Sequence, residues 1–503
     1  MLVRGSRIED AKGQGYTLDT LLGSGGQGSV WSLSEPGLAA KLLNPTHKPN
    51  ERERLKSRVL NVRRLPLDHL QVVRPLEVLA GEFIGYTMEL ADDMAPVETL
   101  GPQALATMPR GTTSSVEWYV ATGGLRRRLE VLAGAARALS DLHSCGFAFG
   151  DVSRTNILYS SGSSDTSTIL LIDVDNIHID FSDKRALLTR GYAAPELVAG
   201  RSFHNSLTDA YSLSVLIFEV LCLIHPFIGD SVDDNDPEFM ESAYRGELPW
   251  VDDPLDRSNE AVRRGIARKW VLSPVLRDLF QEAFGSHHSS LGTAEAPALP
   301  RVVRWDDPAS SAIAVRRRPG IGSWASRLTA ASGATVICPN VDCGWSYYRS
   351  EITCPKCQSP RPKLILGQIM VFDPSDRRLV SFPDPNGSNL LHPRPVQVVT
   401  VGPGETRTIT RRQVFGGIGR HAEEPVLSIR SHFDDVPAIQ LRSLDGDGYE
   451  VQSGSGTVRE FVTTREWLDW DLTRRRGWRV HFYGDDQTRI HRVIHFAHLA
   501  GAR

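Results

Sequence analysis

The stretch HSCGFAFGDVSRTN, His143 to Asn156, decides how this chain is read, together with Asp173 in LLIDVDN seventeen positions further on. Asp151 and Asn156 stand five residues apart, on a segment that leaves a helical pattern and enters the apolar run ILY. Asp173 ends a second apolar run, ILLI. Phosphoryl transfer needs such a set: one carboxylate to accept or orient a hydroxyl proton, and an amide oxygen with a further carboxylate to hold Mg²⁺ on ATP phosphates. Taken alone, Asp-x4-Asn is a pattern any polar loop carries, so its meaning rests on what surrounds it.

Upstream, LLGSGGQGSVW spaces Gly23, Gly25, Gly28 and Val30 as G-x-G-x-x-G-x-V, and LAAKLL sets Lys41 on an apolar strand. Glycines let backbone close over phosphates without side-chain obstruction and turn N–H groups toward anionic oxygens. Downstream, GYAAPEL holds Ala194-Pro195-Glu196, and Asp209 stands near the start of a long apolar helix. In this order the motifs resemble the eukaryotic-like (Hanks-type) bacterial serine/threonine protein kinases, over roughly residues 15–310.

The resemblance implies an α+β bilobal kinase fold, with one lobe over 1–93 and the other over 94–310. It implies ATP and Mg²⁺ as cofactors, Asp151 as base or hydroxyl-orienter, and Asn156 with Asp173 on the metal. By the same resemblance Lys41 contacts the α and β phosphates and pairs with a glutamate on the following helix, NERERLKSRVLNVRRL over 50–65. Glu51 and Glu53 both qualify; Glu53 is preferred because it lies two residues before the apolar stripe Leu55, Val59, Val62. Asn50 behind Pro49 reads as the helix N-cap. Met88 falls at the gatekeeper position, and backbone from Glu89 to Ala91 would meet adenine. Glu196 is expected to pair with a buried arginine, and Asp209 to hold the catalytic loop.

Two departures stand out. His-Arg-Asp reads Phe149-Gly150-Asp151, so the arginine that grips a phosphorylated activation loop is absent, which argues against that form of control. The lysine two positions after the catalytic aspartate is Ser153, and Arg154 is the candidate to replace its charge. These departures also motivate the alternative, a nucleotide-binding pseudokinase scaffold. Asp-Phe-Gly appears as Asp173-Val174-Asp175, and Asp173 takes the metal role because it ends the apolar run.

Residues 311–335 read as a linker, with the Arg316–Arg318 run solvated; Arg301–Trp305 would close the large lobe. Next, Cys338-x4-Cys343-x10-Cys354-x2-Cys357 forms two close pairs around a short hairpin, the pattern of a structural Cys₄ Zn²⁺ site, so 336–360 resembles a zinc ribbon. A kinase followed by such a ribbon is similar to kinases of bacterial phosphorylation triads, which implies a protein substrate and partners such as a von Willebrand A-type protein and a PP2C-type phosphatase. Residues 361–503 alternate strand-like runs with Gly-rich turns and predict an all-β sandwich or barrel. Within it GGIGRHAEEP is similar to phosphopeptide-binding FHA domains, although LSIRSHF lacks their Ser-Arg-x-His signature.

Composition bounds the rest. Lys and Arg number 57 against 60 Asp and Glu, which argues against a general nucleic-acid binder. The longest apolar run, Leu213–Ile224, contains Glu219 and is too short for a bilayer. With no secretory pattern at the N-terminus and clustered cysteines, the expected setting is a reducing cytoplasm without membrane contact.

Overall fold

A computed structural model describes residues 3–501, apart from 26–27, 45–49, 109–113, 163–167, 183–188, 233–235, 286–314, 316, 376–394, 434–436, 447, 454–458, 463–466, 472–477 and 483–488. The N-terminal part is a six-stranded antiparallel sheet. Its strands are β1 (Arg7–Glu9), β2 (Gly15–Gly25), β3 (Gly28–Leu33), β4 (Leu38–Leu43), β5 (Pro75–Val78) and β6 (Gly85–Glu89), in the order β1-β2-β3-β4-β6-β5. β2 and β3 pair as far as Gly25 and Gly28. A Cβ on Gly28 would lie 2.0 Å from the Leu42 carbonyl oxygen, so only glycine lets β3 reach its place beside β4. Helix α1 (Glu51–Arg63) packs on this sheet through Leu55 and Val59, while Val62, also on its apolar stripe, joins the core of the helical part. Asn50 precedes it in the left-handed region and makes no side-chain cap.

The second part is helical. The helix Gly124–Ser144 buries most of its length, and Ser206–Cys222 is buried nearly throughout, its start capped by Asn205, which accepts from the Leu207 and Thr208 amides. The polar insert of 160–168 joins the paired strands Ile157–Ser160 and Ile169–Leu171, though its tip lies outside the described residues.

The expected linker is corrected. Ile321–Gly333 is a helix whose Ile321, Trp324 and Leu328 join the same hydrophobic core as Gly124–Ser144. The Ser/Ala-rich composition that suggested a flexible tether supplies small residues for close helix packing instead. Arg318, taken as solvated, is buried and forms a bidentate pair with Glu196 at 2.7 and 3.1 Å. Arg301–Trp305 lies outside the described residues.

The four-cysteine segment packs onto the helical part rather than standing free. Its hairpin pairs Thr335–Ile337 with Ser346–Tyr348. Trp345 is fully buried and stacks on Tyr119 with ring centroids 5.4 Å apart, and the Tyr348 hydroxyl donates to the Val271 carbonyl at 2.9 Å. The C-terminal part is a sandwich: six- and four-stranded antiparallel sheets close over a shared core that includes Ile365, Val480 and Phe496 from one and Leu427, Ile429 and Ile439 from the other.

This sandwich docks on the helix Gly124–Ser144 through an aligned set of ion pairs. Arg126 meets Glu405 at 2.8 Å, Glu130 meets Arg407 at 3.0 Å, Arg137 meets Glu423 at 3.0 Å and Asp141 meets Arg412 at 2.5 Å. Spacings of four, seven and four place these groups on one helical face. In the GGIGR segment, Gly419 (φ +80°) donates its N–H to Asp141 at 2.7 Å, and a Cβ there would lie 2.2 Å from the His69 carbonyl oxygen. Arg420 donates to the Leu70 and Val72 carbonyls at 2.8 and 2.6 Å.

Candidate active site

The site forms where the N-terminal sheet meets the helical part. β4 carries Lys41 inward, and its ammonium, itself buried, donates to Asp173 Oδ1 at 2.7 Å. Asp173 adopts φ 58° and ψ 41°, left-handed values that aspartate tolerates better than most residues, and the chain turns there out of the strand Ile169–Leu171. Asn156 Nδ2 donates to both the Asp151 carbonyl, at 3.0 Å, and Asp151 Oδ2, at 2.9 Å. With its NH₂ committed to Asp151, the carboxamide oxygen accepts only a long bond from the Thr155 hydroxyl at 3.4 Å, and the amide orientation follows from that bonding.

Asp151 Oδ1 accepts from the Thr189 hydroxyl at 2.5 Å. Burial pushes the Asp151 carboxyl above the usual carboxylate range; the bonds from Thr189 and Asn156 act against that, the Asp173 charge acts with it, and Lys41 acts against it. The loop itself is held by Asp209, which accepts from the Phe149 amide at 2.7 Å, the Gly150 amide at 3.0 Å and His143 Nε2 at 3.0 Å. Gly150 takes φ 81°, and a Cβ there would press on His178, so glycine suits the position where the family's arginine is missing.

Apolar side chains cluster in the N-terminal part that carries Lys41. Val30, Ala39, Met88, Leu90, Ala91 and Ile172 belong to one hydrophobic cluster. The Ala91 N–H makes no hydrogen bond among the described residues, so it is available to a heterocycle edge. Gly23 and Gly25 have open space where a side chain would be, as a phosphate cover requires.

Two expected site residues are placed elsewhere. Glu53 is exposed and makes no ion pair among the described residues. Two helical positions correspond to about 200°, so a residue two before Leu55 faces away from the buried stripe. Arg58, next to Val59, reaches the site instead and pairs with Asp175 Oδ2 at 3.2 Å. That pair occupies Asp175, while Asp173 faces Lys41. Arg154 does not replace the missing lysine: its guanidinium pairs with Glu98 Oε1 at 2.8 Å and stands 5.8 Å from the Tyr192 ring centroid. Tyr192 donates in turn to buried Glu219, whose carboxyl burial pushes up. Ser153 is buried against Thr155. Glu89 is exposed, with its carboxylate 3.5 Å from Arg420 of the sandwich. Sequence reasoning missed Thr189, which lies just ahead of the GYAAPEL motif, and Ala39, two residues before Lys41.

The four cysteines converge as their spacing predicts. Their sulfurs all lie within 4.8 Å of one another, with Cys338 and Cys357 at 3.4 Å and Cys343 and Cys354 at 3.7 Å. Ligands of a tetrahedral ion at a bond length of about 2.3 Å stand about 3.8 Å apart, so the set fits a four-thiolate metal site. Contact with the Ser359 hydroxyl draws the Cys357 thiol down to about 6, while burial pushes Cys338 up.

The protein kinase domain family matches residues 16–282, just over half of the chain, and the chain belongs to that family. It is similar to the DNA damage-responsive serine/threonine-protein kinase RqkA of Deinococcus radiodurans, with 29% identity over 275 residues, which cover 51% of this chain and 36% of that protein. It is also similar to the serine/threonine-protein kinase PknJ of Mycobacterium tuberculosis, with 26% identity over 226 residues, 42% of this chain and 35% of the relative. Calcium/calmodulin-dependent protein kinase type 1B of Rattus norvegicus shares 28% identity over 133 residues, 26% and 38% of the two chains. The matched region thus spans between a third and two fifths of these relatives. A kinase domain implies ATP and Mg²⁺. No described helix is long and apolar enough to cross a membrane.

Proposed function

We propose that the chain transfers the γ-phosphate of Mg·ATP to a serine or threonine hydroxyl of a protein substrate. The observation that carries the reading is the two pairs Lys41–Asp173 and Asp151–Asn156, with bonds of 2.7 and 2.9 Å. Asp151, fixed by Thr189 and Asn156, takes a hydrogen bond from the acceptor hydroxyl and orients its oxygen on the γ-phosphorus. The new O–P bond forms as the bond to the bridging oxygen of ADP breaks, and the hydroxyl proton passes to Asp151 or onward to water. Asn156 and Asp173 would hold Mg²⁺, which supplies charge neutralisation to the phosphates when bound. Lys41 would exchange its bond with Asp173 for the α and β phosphates.

The Cys₄ set is proposed to hold structural Zn²⁺, and the fold is read as a bilobal kinase with ribbon and sandwich appended. A role in bacterial signalling or stress response is consistent with the name of the Deinococcus relative. The von Willebrand A-type and PP2C-type partners rest on family resemblance alone. A pseudokinase reading keeps one observation in its favour: no cation stands two residues after Asp151, because Ser153 is buried and Arg154 is paired with Glu98. Phosphoamino-acid analysis after incubation with labelled ATP and a generic protein acceptor separates the readings. Label on serine or threonine is expected; label on tyrosine alone, or ATP binding without label, contradicts the proposal.

A further inference from the structure

A cavity of about 870 Å³ lies between the kinase domain and the sandwich, away from the site already described. Its walls come from Gly124–Ser144, Ile321–Gly333, the loop ahead of β5, and the sandwich segments around Arg412 and Arg492. Its size falls in the range of small-molecule sites. Three of the four ion pairs of the docking face, Glu130–Arg407, Arg137–Glu423 and Asp141–Arg412, lie in its walls.

The lining is polar and unbalanced. Six arginines and four carboxylates contribute to it among the described residues. The carboxylates are largely used internally: Glu130 pairs with Arg407, Asp141 with Arg412, and Glu423 with both Arg137 and Arg412. Three cations are left without a close carboxylate. Arg492 donates only to the carbonyls of Arg412 and Gln413, both at 2.8 Å; Arg420 bonds carbonyls and has Glu89 at 3.5 Å; and Arg327 is exposed with no polar partner among the described residues.

Gln71 supplies the second observation. It lines the cavity, is 5% exposed, and its Oε1 has no hydrogen-bond partner. A buried amide left unpaired costs roughly 1–3 kcal/mol unless something satisfies it.

We infer that this cavity is a second binding site, for a nucleotide-sized organic phosphate whose anionic group meets Arg327, with Arg420 and Arg492 adding positive charge, and whose hydrogen-bonding edge meets Gln71. Arginine is the side chain suited to phosphate oxygens, and the carboxamide reads a donor–acceptor edge as a base or amide presents one. The site bears on the active site through main chain. Leu171 N–H donates to the Gln71 carbonyl at 2.9 Å and Val73 N–H to the Leu171 carbonyl at 2.8 Å, two residues before Asp173. Arg420, on the opposite wall, grips the Leu70 and Val72 carbonyls of the same loop. Occupancy therefore sets the loop against which the metal-binding strand is registered.

The test uses the full chain with its ATP site saturated by a non-hydrolysable ATP analogue, and titrates GMP and, separately, inorganic pyrophosphate while following melting temperature and binding heat. Both probes are expected to bind and raise the melting temperature of wild type. Arg327→Glu, at an exposed and unpartnered position that folding does not need, should weaken both by about tenfold to a hundredfold. Gln71→Leu should weaken GMP and spare pyrophosphate. Absence of binding by both probes to folded wild type, or binding unchanged by Arg327→Glu, overturns the inference. The readout is binding, so it stands apart from whether phosphate transfer is observed.

Discussion

Replacing Arg318 with alanine should destabilise the kinase domain as severely as a core truncation. Its guanidinium makes two charge-assisted bonds to Glu196, at 2.7 and 3.1 Å, donates to the Leu207 carbonyl at 2.8 Å, and stands 4.9 Å from the Tyr211 ring centroid. The two side chains are only 1% and 6% exposed. Removing one member leaves a buried carboxylate without its partner, a loss of about 3–5 kcal/mol. Domains of this kind have about 5–15 kcal/mol in total, so the variant should unfold at markedly lower urea. Arg327→Ala, on an exposed surface, should stay within about 0.5 kcal/mol of wild type. Urea unfolding followed by tryptophan fluorescence measures both, since Trp324 lies on the helix that Arg318 precedes. Arg318→Met combined with Glu196→Leu should recover much of the loss, because apolar replacement of both charges removes the unpaired group. A loss below about 1 kcal/mol in Arg318→Ala would refute the claim that this segment is integral to the fold.

Other consequences follow from the same contacts. Asp141→Ala leaves Arg412 with Glu423 alone and takes the side-chain acceptor from the Gly419 N–H, so hydrogen exchange should rise at the sandwich face around 411–424, while exchange of the sandwich core stays slow. Chelation of the Cys₄ metal should lower the melting temperature of the kinase domain as well as the ribbon, because Trp345 and Tyr348 are built into the helical core; unchanged melting after verified zinc removal would contradict this. In the proposed role Asp151 must be ionised, and burial pushes its carboxyl up, so activity should rise with pH along an acidic limb lying above that of an ordinary carboxylate. Thr189→Val removes a bond that favours the ionised form and should move that limb to still higher pH. A limb unmoved in the variant would mean that Thr189 does not tune Asp151. Burial lowers His225 to about 4, so it is neutral in the fold; stability gained from burying it neutral is present above the ordinary value near 6.5 and is lost as pH falls toward 4, which thermal melts across that window will show.

That Asp151 would meet Asn156 and Lys41 would meet Asp173 was legible because local spacing sets it: Asp151 and Asn156 share one loop, Asp173 ends a strand, and Lys41 sits on an apolar run. The cysteine pairs were legible for the same reason. Pairings between distant segments were not. Nothing near Arg318 distinguishes it from its neighbour Arg317, and only the fold brings Glu196 beneath it. Glu53 was misjudged because proximity in sequence to a buried stripe is not proximity on a helix surface. The docking of the sandwich was invisible because its carboxylates and arginines, at Glu405, Arg407, Arg412 and Glu423, read as solvated charges until their partners on Gly124–Ser144 are set opposite them. GGIGR was noticed as a motif, yet the reason for its last glycine, close approach to His69, appears only in three dimensions.

The central claim is tested most directly by transfer of labelled γ-phosphate from Mg·ATP to the protein itself and to a generic protein acceptor, with wild type and Asp151→Asn side by side. The account predicts label with wild type and its loss in the variant while ATP binding persists, since the role proposed for Asp151 is to orient the acceptor hydroxyl and not to hold adenine. Equal labelling by the two proteins, or none by either while both bind ATP, would contradict it.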